Sequence, residues 1–253
     1  MKNIRGKTWL LVGLVVLLVL LIAVPAFAAG KETPAKNLKR ITLVDYAPGV
    51  VLFDKPSWSG KPTPSPIDNS VYQLLPWQWA SSSSPIQLTL DQTGAPSGTD
   101  AKIQAALNTW DAATGVSLFD PLATWADSGP PSWTTSDGVN SVSFQFLLGY
   151  PQALALTNLT IDGSTIVETD VVFNTKYTWA IDTDGVGTTY TLAKRQYDVQ
   201  NVGTHELGHV VGLDDLYLSS YRELTMYGSA AATETKKDSL EAGDIIGTQI
   251  LWP

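Results

Sequence analysis

The chain has 253 residues, enough for one well-packed domain and a leader but not for two large domains. Its 44% hydrophobic and 16% charged residues are those of a globular protein, and it has no cysteine, so disulfides and thiol regulation are excluded. A formal net charge of −8, with no block of Lys or Arg, is the wrong sign for a surface that binds nucleic-acid phosphates.

Taken in chain order, residues 1–28 read as a signal peptide. Lys2, Arg5 and Lys7 form a positive start, Trp9 to Val24 is an apolar run, and Ala26-Phe27-Ala28 is an A-x-A cleavage signature. The alternative is an uncleaved anchor, in which case the chain would be membrane-attached. Either way the remainder is expected outside the cytoplasm, secreted or facing outward. Residues 29–70 are a Pro/Ser-rich leader or linker, dense in turn formers from Pro56 to Pro66. Within it, Ile41 to Phe53 is apolar enough to dock as a strand. Whether this segment inhibits the domain that follows is left open by the sequence.

Residues 71–253 form the folded domain. Ile86 to Leu90 alternates apolar and polar as a half-buried strand does. Asp100 is placed to cap a helix with Ile103, Ala106, Leu107 and Trp110 on its apolar face. Residues 120–140 read as a long loop. Ser141 to Leu148, Leu154 to Ile161 and Ile166 to Phe173 are strand candidates. Asp182-Thr183-Asp184-Gly185 reads as a turn whose carboxylates could bind calcium, a plain hairpin turn being the simpler reading. Asp198 opens a strong helix that runs to about Gly212, and a last helical pattern spans Ser239 to Leu251. Elements in this mixed order suggest α+β or α/β with one central sheet.

The chemistry is concentrated in His205-Glu206-Leu207-Gly208-His209-Val210-Val211-Gly212-Leu213-Asp214-Asp215. Residues four apart share a helix face, so His205 and His209 can aim at one ion. Glu206, one step round, can reach a water there without being a ligand. Gly212 is suited to end the helix in the left-handed conformation, and the returning chain brings Asp215 to the same ion. Three protein ligands plus a water is the form of a catalytic zinc site. The chain has two histidines and both are in this motif, which argues against ordinary core histidines.

The motif resembles that of the metzincin zinc peptidases, in an H-E-x-x-H-x-x-G-x-x-D variant. The run Tyr197 to His209 resembles the matrixin branch most, and Leu224-Thr225-Met226-Tyr227-Gly228 looks like that clan's Met-turn. The resemblance implies the α+β form, a metzincin-like domain with a mixed, mostly parallel twisted sheet, an active-site helix and a C-terminal helix. It also implies one catalytic Zn2+, with Met226 as a hydrophobic floor beneath it. Asp215 stands where His is commoner in the clan; Asp214 is the second choice for that ligand and Glu223 the third. The latency cysteine and structural zinc of many matrixins have no residues here to form them.

By the same resemblance the expected activity is peptide-bond hydrolysis by a metal-activated water with Glu206 as general base. The substrate is a polypeptide lying extended along an edge strand near Leu154 to Thr157, with Leu154, Ala155 and Tyr227 beside it. A monomer is expected. The competing reading is a non-catalytic exported binding or adhesion module that keeps the fold, against which the retained Glu206 speaks. Asn158-Leu159-Thr160 is a glycosylation sequon.

Overall fold

The computed structural model describes residues 38–47, 68–80, 85–115, 117–126, 129–183 and 192–253. The expected targeting segment, most of the leader, and Asp184-Gly185 of the expected calcium turn lie outside the described residues.

Nine strands and three α-helices are described. In chain order they are β1 (Leu38–Tyr46), β2 (Gln78–Trp79), β3 (Thr89–Leu90), α1 (Thr99–Thr114), β4 (Ala123–Thr124) and β5 (Ser141–Gln145). Then follow β6 (Ala153–Asp162), β7 (Thr165–Asn174), β8 (Thr178–Ala180), β9 (Gln196–Asp198), α2 (Val199–Val211) and α3 (Ala242–Leu251). The main sheet runs β1-β6-β7-β5-β3-β4, with β2 also against β7. Pairs β1–β6 and β6–β7 are antiparallel, and the other four are parallel. This is the expected α+β fold with a mostly parallel sheet. The two-residue β4 falls in the stretch expected to be loop.

The strands β5, β6 and β7 are buried on both faces rather than one. Leu154, Ala155, Val171 and Phe173 join the main core with α1 and α2, while Leu156 and Val172 pack with Leu147, Trp133 and Tyr150 on the other side. Two buried carboxylates there are hydrogen-bonded, as burial requires. Asp170 accepts from Ser141 at 2.6 Å, and Glu168 accepts from Ser136 at 2.7 Å.

Strand β1 comes from the segment read as a leader, and its second half, Ile41–Tyr46, overlaps the start of the stretch expected to dock as a strand; residues 48–53 of that stretch lie outside the described residues. It pairs with β6 from Leu38↔Asp162 to Tyr46↔Ala153. Arg40 clamps it across the sheet, donating to Asp170 at 2.9 Å, Glu168 at 3.3 Å and the Trp133 carbonyl at 2.5 Å.

Helix starts follow local chemistry. Asp198 caps α2 by accepting from the Asn201 N–H at 2.8 Å. For α1 the expected cap Asp100 instead lies in the first turn, because Gly98 occupies the cap position. Trp110 of α1 donates its indole N–H to the Thr204 carbonyl at 2.9 Å, tying α1 to α2. Helix α3 begins at Ala242, three residues later than expected, with Glu241 and Asp244 in a capping box. No helix among the described residues is long and apolar enough to cross a membrane.

Candidate metal centre

Helix α2 carries His205 and His209 one turn apart, and both are fully buried. Gly212 ends the helix at φ 112°, a conformation that costs a residue with a Cβ and is open to glycine. Its N–H bonds to the carbonyls of Gly208 and His209, and the Leu213 N–H returns to Gly208 at 2.9 Å. The bend is held from outside by the Leu74↔Leu213 bridge. The chain then carries Asp215 back under the helix.

Three side-chain atoms converge there. Asp215 Oδ1 lies 3.3 Å from His205 Nε2 and 3.5 Å from His209 Nε2. All three atoms are buried, and none has a hydrogen-bond partner. A tetrahedral ion with bonds of about 2.0–2.1 Å separates its ligands by about 3.3–3.4 Å, which is the spacing seen. Orphaned buried atoms of this kind are rare in folded proteins, and a cation between them accounts for all three at once.

The opposite atom of each group is fixed. His205 Nδ1 lies 2.8 Å from the Thr225 carbonyl, and His209 Nδ1 lies 2.9 Å from the Leu213 carbonyl. A carbonyl only accepts, so Nδ1 carries the proton and Nε2 turns its lone pair inward. Asp215 Oδ2 accepts from the Tyr217 hydroxyl at 2.7 Å, which leaves Oδ1 for the centre. Such outer partners orient metal ligands and raise their basicity.

Charge points the same way. Burial and the nearby Lys237 ammonium hold His205 below its usual value. Burial would also lower His209, but the Asp215 carboxylate overrides it and pulls the imidazole up to about 9. Burial alone would raise Asp215, yet the two histidines hold it far below the carboxylate range. The three groups together favour a positive charge between them. Glu206 is pushed up to about 8, chiefly by burial. Its Oε2 accepts from Thr157 on β6 at 2.5 Å, and its Oε1 has no hydrogen-bond partner.

Met226 lies directly beneath α2. A Cβ added at Gly208 would stand 2.2 Å from Met226 Sδ and 2.9 Å from Trp110 Cζ2, so glycine there is what lets the methionine reach the helix. Leu216 N–H bonds the Met226 carbonyl at 2.7 Å, linking this turn to the strand of chain that carries Asp215.

With that floor and those ligands in place, the matrixin family profile matches residues 88–253. The chain belongs to the matrixin family. Matrixins are zinc metallopeptidases, and the matched region holds His205, His209 and Asp215, which could hold a metal ion, together with Glu206 and Met226. A search of curated proteins gives no match.

Of the three carboxylates weighed for the third position in this matrixin, only Asp215 reaches the two imidazoles. Asp214 is turned away, accepting from Gln73 at 3.0 Å and from the Asp215 N–H at 2.8 Å. Glu223 is half exposed and paired with Arg222 and Lys236. Tyr227 is half-buried, and its carbonyl accepts from the Lys237 ammonium at 2.6 Å.

The expectation for Leu154 and Ala155 is corrected. They lie on β6, which is not an edge: β1 pairs it on one side and β7 on the other. Ala155 faces Asp45 and Phe173 in the two ladders, while Leu154 is the extra residue at a register shift between Asp45 and Tyr46. Both side chains are fully buried in the core. The sequon is likewise inside the sheet, with Asn158 bonded to Thr42 and to the Trp133 carbonyl.

Tyr217, Lys237 and Asp45 had no individual role assigned from the sequence, and Thr157 entered only as the end of the expected substrate strand. Tyr217 lies two residues past the motif, in reach of a search for outer partners. The other three arrive through tertiary contacts.

Proposed function

We infer that this matrixin is an exported zinc endopeptidase, acting as a monomer on polypeptides. His205, His209 and Asp215 would hold the ion, and Glu206 would serve as general base. The convergence of three buried, unpartnered ligand atoms, with a carboxylate one helix position away, carries this reading. The apolar start of the chain, with its A-x-A site, supports export.

Zinc supplies a Lewis acid that acidifies water and polarises a carbonyl. The chain's own residues do the rest. Thr157 holds one oxygen of Glu206 and leaves the other for the incoming water's proton. A buried carboxyl poised near neutral pH can take that proton and return it to the leaving amine. Met226 and Trp110 back the helix so that the ligand face stays in position.

Zinc content and hydrolysis of a broad peptide library test the reading. They are measured on the wild-type chain and on Glu206→Ala. One zinc per chain in both, with chelator-sensitive cleavage in the first alone, is expected. Zinc bound by both and cleavage by neither would replace the enzyme with a binding module.

A further inference from the structure

A buried positive charge stands behind the metal centre. Lys237 is fully buried, and its Nζ lies 3.5 Å from His205 Nδ1. The ammonium donates to the Tyr227 carbonyl at 2.6 Å. His205 Nδ1 is itself a donor, to the Thr225 carbonyl, so the ammonium gains no hydrogen bond from the ring it faces. Among the described residues, the direct ion pairs of lysine and arginine are made by Arg40, Arg222 and Lys236, and none by Lys237. A charge buried on these terms is costly unless negative charge lies nearby.

The ammonium is held in place from both ends. Lys237 lies in a short 3-10 turn, Lys236–Asp238, and its own N–H donates to Asn201 Oδ1 at 2.9 Å in the first turn of α2. At the other end, the Tyr227 carbonyl fixes Nζ next to Met226. Thr225, whose carbonyl orients His205, also donates its hydroxyl to the Ser239 carbonyl at 2.8 Å, two residues past Lys237. The titratable groups that feel the charge are His205, Asp45 and Asp244. On the far side of the imidazole, Asp215 Oδ1 lies 3.3 Å from Nε2. His205 therefore has a fixed cation at one ring nitrogen and an anionic carboxylate at the other.

We propose that Lys237 is a positioning residue for charge: through the His205 ring, its ammonium offsets the negative charge that Asp215 brings to the metal. A carboxylate in place of a neutral third ligand donates charge to the ion and weakens it as a Lewis acid. A cation against the outer edge of a ligating imidazole acts the other way. It draws electron density from the ring and repels a divalent ion, so the grip is looser and the ion polarises its water and the substrate carbonyl more strongly. This role rests on the zinc-peptidase reading above.

The test compares the full chain as wild type, Lys237→Met, which keeps the buried stem without its charge, and Lys237→Arg, which keeps the charge. Zinc affinity is measured at one pH by competition with a chromophoric chelator, and melting curves are taken without metal. Losing one repelling charge at this range should tighten zinc binding by Lys237→Met roughly 10–100-fold, with Lys237→Arg close to wild type. Loss of a mere strut would loosen the metal, so the two roles differ in sign. In Lys237→Met, kcat for a fluorogenic peptide should fall roughly tenfold or more at unchanged KM. The metal-free Lys237→Met chain should melt no lower than wild type, because it sheds a buried charge that has no ion pair. Equal or weaker zinc binding by Lys237→Met, or its failure to fold, overturns the proposal and leaves the metal centre standing. Tighter binding with the hydrolysis of wild type retained in full also overturns it. A wild type that takes up no zinc overturns the metal reading and the proposal together.

Discussion

Tyr217 donates its hydroxyl to Asp215 Oδ2 at 2.7 Å, and this bond decides which oxygen of the carboxylate faces the two histidines. Burial and the Asp215 charge both hold the phenol well above its usual value, so it stays a donor throughout the working pH range. Tyr217→Phe keeps the ring and removes the bond. It should weaken metal binding about 10–100-fold, the usual effect of losing an outer-shell partner. Competition against a chelator of known affinity reads this directly.

Glu206→Gln should leave metal content unchanged, because Glu206 is not among the three converging atoms. It should lower peptide hydrolysis about 10²–10⁴-fold, the range for loss of a general base. Retained zinc with unchanged cleavage would remove Glu206 from the mechanism.

Gly208→Ala tests the packing under the helix. The new methyl would meet Met226 Sδ and Trp110 Cζ2, and Trp110 is itself fixed by its bond to Thr204. Overpacking of this kind costs about 1–3 kcal/mol. In a domain of this size that lowers Tm by roughly 2–4 °C for each kcal/mol. Restoration by Met226→Ala in the double variant would show that the clash is with the methionine.

Arg40→Gln removes the cation shared by two buried carboxylates and should loosen β1 specifically. Leaving buried charges unpaired costs about 3–5 kcal/mol when both partners are fully buried, and less here because Arg40 is partly exposed. Amide hydrogen exchange over residues 38–46 should accelerate well before that of β5 and β7. Uniform acceleration across the sheet would mean that β1 is integral to the core.

Stability should also follow Asp170. Burial, partly opposed by Ser141 and Arg40, pushes its carboxyl up to about 6, above the ordinary 3.8. A folded value above the unfolded one means that the folded chain binds the extra proton. Its stabilising contribution is therefore complete below the unfolded value and lost as pH rises through about 6. Denaturant midpoints for wild type should rise from pH 7 to pH 5 more than those for Asp170→Asn. Parallel curves for the two proteins would remove Asp170 as the source.

The ligands were legible because they are local. His205, His209 and Asp215 sit within one helix turn and one glycine bend, and spacing alone brings them together. The apolar runs of β6 and β7 were equally plain. Their burial on both faces was not, because polar positions such as Thr157 and Thr169 lie inside the sheet. The cap of α1 was misplaced to Asp100 since a glycine can do the same job without any side-chain signature. The edge strand was misassigned for a longer-range reason. No periodicity within β6 tells whether a strand from far upstream has already joined it.

That distance also sets what chain entropy each contact costs. Bringing His205 and Asp215 together closes a short loop, whereas seating Asp45 opposite Ala155 gathers one roughly tenfold longer. Ring closure over the longer span is dearer by about 2 kcal/mol of chain entropy. The cluster on α2 and its glycine bend is thus cheap to close, while the seating of β1 against β6 must be offset by burial and by the Arg40 bonds.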